Sequence, residues 1–264
     1  MVDFNKVKVE VDDGVATLTL NHPEVMNAIS MDMLEGLIEA FDYIEDKANG
    51  VRCVVMTGAG KGFCAGANLQ GRNTGAPKAG GAGAVLESHY HPLLRRIRRL
   101  HCPILTAING AAAGAGMSMA LTGDLKLAGK SSYFLQAFRR IGLVPDAGST
   151  YMLPRLVGTA RAMELSLLGE KLPAEKALEW GLINRVYDDA ELMSEAKKMA
   201  SELAHGPTVS LALIRGLYWD SPENTFEEQL DLEFRTQRVA GSTADFKEGV
   251  TAFLEKRPAK FKGQ

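Results

Sequence analysis

The chain has 264 residues, 46% hydrophobic and 23% charged, with a formal net charge of −2. That length can bury a large core, and the near-neutral balance offers no broad basic surface for nucleic acid or acidic lipid. No apolar run approaches the ~20 residues of a membrane span, and the N-terminal MVDFNKVKVE lacks a secretory pattern. Three cysteines (Cys53, Cys64, Cys102) do not suggest a disulfide framework, so the expectation is a cytoplasmic protein.

Residues 6–10 (KVKVE) and 14–20 (GVATLTL) alternate about Asp12-Asp13-Gly14, which predicts a hairpin. Ser30 is placed to cap a helix with Leu34, Leu37, Ile38, Phe41 and Ile44 on one face. A strand over Arg52–Met56 leads into a glycine-rich turn. Residues 71–83 (GRNTGAPKAGGAG) read as a mobile flap, and a helix from about Val85 to Leu100 returns the chain to a buried strand, Pro103–Ile108, ended by Asn109-Gly110. Alternating strands and helices up to about residue 190 predict an α/β layered core over 1–190. Four consecutive helices (Asp189–Ala204, Val209–Trp219, Pro222–Val239 and Ala244–Glu255) predict a helical C-terminal region over 191–264. No repeat of solenoid period is evident.

Two stretches carry chemical meaning. In AINGAAAGAGMSMALTGD (107–124), residues Ala111 to Gly116 leave the backbone bare just where Met117, Met119, Ala120 and Leu121 begin a helical pattern. Bare N–H groups at a helix start suit a carbonyl oxygen that becomes negative during reaction; equally, the small residues read as a helix packed tightly on a sheet. CVVMTGAGKGFCAGANLQG (53–71) repeats the grammar around Ala65, Gly66 and Ala67, and a two-donor oxyanion hole needs two such arrangements. Neither has Walker or dinucleotide glycine spacing. Asp146, in VPDAGST, reads either as a helix cap or as a proton-transfer acid. Leu143, Val144, Pro145 and Ala147 are expected to keep water away and raise its pKa. His89 and His91 lie two apart with no third ligand, so no metal site is expected, and His91 is left to line a pocket. Arg95, Arg96, Arg98 and Arg99, like Lys256, Arg257, Lys260 and Lys262, read as solvated helix faces or as anion contacts.

The segments NHPEVMNAIS (21–30), GFCAGANLQG (62–71), AINGAAAGAGMSMALTGD (107–124), IGLVPDAGSTYMLPRLVG (141–158), ALEWGLINRV (177–186) and DFKEGVTAFLEKRPAKF (245–261) resemble the crotonase, or enoyl-CoA hydratase/isomerase, family over essentially the whole chain. The resemblance implies a ββα spiral core with a helical C-terminal trimerisation region, a homotrimer or hexamer, and an acyl-CoA thioester substrate with no cofactor or metal. It implies an oxyanion hole from the N–H groups of Ala67 and Ala115, and a CoA path along Met26, Ala28, Ala65, Asn68 and Leu69. Gly114, His91 and Phe138 would complete the site, and Phe261 and Lys262 would lie near a nucleotide. The acyl pocket would be lined by the 71–83 segment, His89, Tyr90, His91, Phe138 and Tyr151. The two glutamates of the family's hydratases fall on Ser118 and Phe138, which disfavours hydration, whereas the isomerase branch places its acid at Asp146. The implied activity is double-bond migration or rearrangement of a ring epoxide. Hydration, an aryl-CoA dehalogenase-like attack by Asp146 with help from His91, and a non-catalytic scaffold are the alternatives.

Overall fold

A computed structural model describes residues 1–69 and 83–264. The hairpin forms as its turn chemistry requires: β2 (Val7–Asp12) pairs antiparallel with β3 (Val15–Leu20), and both turn residues take positive φ, Asp13 at 47° and Gly14 at 78°. A short strand that the sequence reading lacked, β1 (Val2–Phe4), adds to its edge. Ser30 accepts a hydrogen bond from the Met33 amide at the start of α1 (Met31–Glu45), and Leu34, Leu37, Phe41 and Ile44 are buried while Ile38 is half-buried.

From there the chain winds through a ββα turn three times. β4 (Cys53–Gly58) and β5 (Gly62–Cys64) precede α2 (His91–Arg98). β6 (Ile104–Ile108) and β7 (Ala111–Ala113) precede α3 (Ala115–Ala120), and β8 (Leu125–Gly129) and β9 (Tyr133–Leu135) precede α4 (Ser149–Val157). The first strand of each turn enters a seven-stranded sheet of order β1-β2-β3-β4-β6-β8-β11, with β11 at Arg185–Tyr187. The second enters a four-stranded sheet of order β10-β9-β7-β5, with β10 at Lys171–Pro173. The turns begin at residues 53, 104 and 125, so this repetition has no fixed sequence period. Residues 111–113, read from sequence as part of a bare lead-in to a helix, are instead a strand between β5 and β9. Alanine carries little strand signal, and only these non-local partners make it one.

Every residue of β4 and β6 is buried, because helices cover both faces of the parallel strands. Val54, Met56, Ile104 and Ile108 share a core with α1, α2 and α3; Cys53, Val55, Leu105 and Ala107 face α7 (Leu192–Ala204) through Leu192, Ala196, Ala200 and Ala204. That four-residue spacing keeps small side chains on one helix face, so α7 lies close to the sheet. Helices α5 (Thr159–Leu168) and α6 (Ala174–Glu179) pack at the far edge. The C-terminal region continues with α8 (Thr208–Asp220), α9 (Phe226–Gly241) and α10 (Ala244–Leu254). Pro222 does not open α9: it sits in a 3-10 turn, and Thr225 and Glu228 form a capping box that starts the helix at Phe226. The expected helix over 85–100 begins as a π-turn, Leu86–Tyr90, and residues 71–82 of the expected flap lie outside the described residues.

All three cysteines are buried and free; burial pushes the thiols of Cys64 and Cys102 up to about 12 and that of Cys53 higher, so they stay protonated. Of the RRIRR cluster, Arg96 is bidentate on Glu45 (2.7 and 2.9 Å) and Arg98 reaches Asp220 at 2.8 Å, so two of the four cations anchor helices. Arg215, 6% exposed, ties α8 to the core by donating to Ile97 O, Leu100 O and the Asp124 carboxylate, which in turn accepts from the Ile104 amide. Replacing Arg215 with Met leaves Asp124 without its cation and takes the guanidinium donor from two carbonyls. Urea unfolding of Arg215→Met should show a loss of ~3–5 kcal/mol.

Candidate active site

The site is built where β5 and β7 run side by side with almost nothing between them and the elements that follow. Gly116, in α3, packs directly on the backbone carbonyl of Cys64; a methyl group there would collide with it. Gly66 has φ +100°, and a Cβ placed on it would lie 2.8 Å from Ala113 O and 3.7 Å from Ala115 N. The 65–67 turn therefore touches the N-terminus of α3. Both readings of the small-residue run hold: the glycines allow the close approach, and the approach leaves the amides uncovered.

Ala115 is the first residue of α3, so its N–H has no intrahelical acceptor. Ala67 forms a parallel bridge with Ile29, in which the Ile29 amide donates to Gly66 O (2.7 Å) and the Asn68 amide donates to Ile29 O (2.8 Å). That pattern turns the Ala67 N–H to the opposite side. Among the described residues neither amide donates to a backbone carbonyl. The Ala65 amide donates to Met26 O at 2.9 Å, so residues 26–29 and 65–68 are zipped together, with Ala28 on one segment and Ala65 and Asn68 on the other. Met26 and Leu69 are largely exposed at its rim.

Asn27 holds this zipper, a role the sequence reading missed. Fully buried, it donates to Ala59 O (2.9 Å) and Gly62 O (2.8 Å) and accepts from the His22 amide (2.8 Å). It has φ +56° and Met26 has φ +50°. Left-handed backbone at two successive non-glycine residues costs about 1 kcal/mol or more each, sustained here by the hydrogen bonds. An asparagine inside an apolar stretch, after His-Pro, was the available signal.

Asp146 lies in the loop before α4. It does not cap that helix: the N-cap is Gly148, with φ +80° and no side chain, and Ala147 also has a left-handed φ of 49°. The carboxyl is half-buried, with Oδ1 shielded from solvent. The shielding does not come from Leu143 and Val144, which both point outward; only Ala147 among the expected neighbours is buried, because the left-handed residues at 142 and 147–148 bend the segment away from the body. Ser118 Oγ donates to the Asp146 carbonyl at 3.0 Å. Ser118 is fully buried and three residues after Ala115, so the acid's loop is fastened one turn along the helix whose first amide is exposed. Phe138 is buried, and a Cβ on Gly114 would lie 4.0 Å from its Cζ, so its ring flanks the residue before Ala115.

His91 opens α2 half-buried, and among the described residues no hydrogen bond joins it to Asp146. His89 Nδ1 lies 2.7 Å from Ser88 Oγ. Tyr90 is buried in the core cluster, and the Tyr151 hydroxyl donates to Glu223. Phe261 and Lys262 lie at the N-terminal end of β4, where Phe261 O accepts from Arg52 and the Lys262 amide donates to Asp245; within one chain they are at the opposite end of the strand from the 62–67 turn.

A family model described as enoyl-CoA hydratase/isomerase matches residues 10–264. The chain is 46% identical over 265 residues to the 1,2-epoxyphenylacetyl-CoA isomerase of Escherichia coli K12, and 42% identical over 263 residues to a probable enoyl-CoA hydratase of Rhodobacter capsulatus, each match covering 100% of both chains. The crystal structure of an enoyl-CoA hydratase/isomerase from Cupriavidus metallidurans CH34 superposes with a TM-score of 0.92 at 29% identity, covering 100% of this chain and 98% of that one.

The backbone contact at Gly116 gives a direct test of the packing. Gly116→Ala should destabilise the protein by ~1–3 kcal/mol in urea unfolding, because the added methyl forces α3 off β5. It should also speed amide hydrogen exchange through α3.

Proposed function

Because the chain belongs to the enoyl-CoA hydratase/isomerase family, we propose that it is an acyl-CoA isomerase, which moves a double bond or rearranges a ring epoxide through an enolate. What supports this reading is the closeness of the Gly66 turn to the N-terminus of α3, with neither the Ala67 nor the Ala115 amide donating to a backbone carbonyl among the described residues, together with a shielded carboxyl whose loop is tied to the same helix.

The thioester carbonyl oxygen accepts from the N–H groups of Ala67 and Ala115. With a 3-enoyl ester, the Asp146 carboxylate takes a proton from C2; the electron pair moves into a dienolate whose negative charge rests on the held oxygen. The protonated Asp146 then returns the proton at C4 as the double bond forms between C2 and C3. The product is an isomer of the substrate, with no atom gained or lost. Each amide is worth ~3 kcal/mol of barrier, about a hundredfold in rate. Ala28, Ala65 and Asn68 lie along the CoA path, with Met26 and Leu69 at its mouth and Gly114 and Phe138 on the acyl side. No metal or redox group takes part. Phe138 and Ser118 cannot act as general bases, so a hydrating water has no second carboxylate to activate it; the phenyl ring beside Gly114 also suits a flat ring substrate.

The proposed setting is the cytoplasm, and the proposed assembly a homotrimer or a hexamer. Among the described residues no helix is long and apolar enough to cross a membrane. Phe226, Phe234, Phe253 and Leu254 are 61–82% exposed on α9 and α10, the apolar surface such an assembly would cover.

Purified protein incubated with a 3-enoyl-CoA should give the 2-enoyl isomer, and with a 1,2-epoxyphenylacetyl-CoA a ring-rearranged isomer. A 3-hydroxyacyl product from a 2-enoyl-CoA would assign a hydratase instead. Asp146→Asn should lower kcat by ~10³-fold or more at unchanged melting temperature. Ser118→Ala, which frees the Asp146 loop without touching substrate, should lower kcat about 10- to 100-fold with little change in KM.

A further inference from the structure

Lys126 has no part in the reaction above, yet it is 7% exposed, in β8, and among the described residues its ammonium donates to only one group, Gly123 O at 2.9 Å. An ammonium has three donors, and burying one with a single neutral partner is costly. Burial accordingly pulls its pKa below that of an ordinary lysine, with Asp124 opposing the shift. The carboxylate of Asp124 is already engaged by Arg215 and the Ile104 amide.

Lys126 lines a cavity of about 480 Å³ whose walls include Leu121, Met152, Leu156, Ile214 and Trp219. Arg155, stacked 3.7 Å over the Tyr151 ring, also lines it. The cavity thus meets three cations (Lys126, Arg155 and Arg215) and one carboxylate, with apolar and aromatic walls. It touches the C-terminal end of α3 at Leu121, about 9 Å along the helix from Ala115. We propose that this cavity is a second ligand site, for an amphipathic monocarboxylate: an aryl-substituted or medium-chain alkanoic acid whose carboxylate meets Lys126 and whose body lies against Leu121, Met152 and Trp219. The volume suits such a molecule, and its charge matches the local excess of cations. The assignment does not depend on which reaction the Asp146 site performs.

Isothermal titration of the intact protein with phenylacetate and with octanoate tests it. Both acids should bind with one site per chain, equally well with and without a saturating acyl-CoA, while methyl phenylacetate, of nearly the same shape but uncharged, should bind at least tenfold more weakly. Lys126→Met, which keeps the stem and removes the charge, should weaken both acids at least tenfold. Competition by acyl-CoA would overturn the proposal by placing the acids in the acyl pocket. Equal binding of the methyl ester, or no binding to the wild-type protein, would overturn it too.

Discussion

The contact on which the rest of this structure depends is backbone against backbone. The 62–67 segment and the 111–116 segment come together with glycine at the points of closest approach, so that carbonyl oxygens of one meet main-chain atoms of the other. Any side chain at Gly66 or Gly116 would hold them apart. A wider separation would move the Gly66 turn away from the N-terminus of α3, and would part the proposed pair of donors, Ala67 and Ala115, with it. In the proposed reaction, main-chain donors held this way would need no reorganisation as charge develops, which would make them stronger than mobile side chains in the same place.

The two sheets divide the work. The seven-stranded sheet, whose central strands β4 and β6 are buried on both faces, supplies stability: α7 closes one side through its alanine stripe and α1, α2 and α3 the other. The four-stranded sheet is short, and its β5 and β7 strands are largely alanine, glycine and cysteine. It contributes little burial of its own but sets the position of every segment around the candidate site. Half of the backbone strain lies there: of six non-glycine residues with positive φ among the described residues, Met26, Asn27 and Ala147 frame the candidate site. The hydrogen bonds of Asn27 and Ser118 hold these conformations in place.

The acid and the amides are coupled by geometry rather than by direct contact. Ser118 joins the Asp146 loop to α3 from inside the protein, and the first amide of α3 has no intrahelical acceptor. A disturbance of α3 therefore moves donor and acid together. In the proposed reaction a hydroxyl at 118 would therefore act by positioning the Asp146 loop rather than by transferring a proton.

What the sequence determined by itself is whatever a contiguous pattern can encode. The Asp13-Gly14 hairpin, the capped amphipathic α1, the buried strands at 53–58 and 104–108, the helical C-terminal region and the family's motif segments were all legible, because each depends on neighbours within a few residues. What only the tertiary structure decided rests on partners far away in the chain. Ala111–Ala113 became a strand through β5 and β9; Arg96, Arg98 and Arg215 became anchors through Asp42, Glu45, Asp220 and Asp124. Leu143 and Val144 turned outward because left-handed residues bend their loop, and Lys126 acquired its place in a cavity from helices that follow it. Alanine, glycine and charged side chains have weak local preferences, so their roles are set by what the fold brings against them.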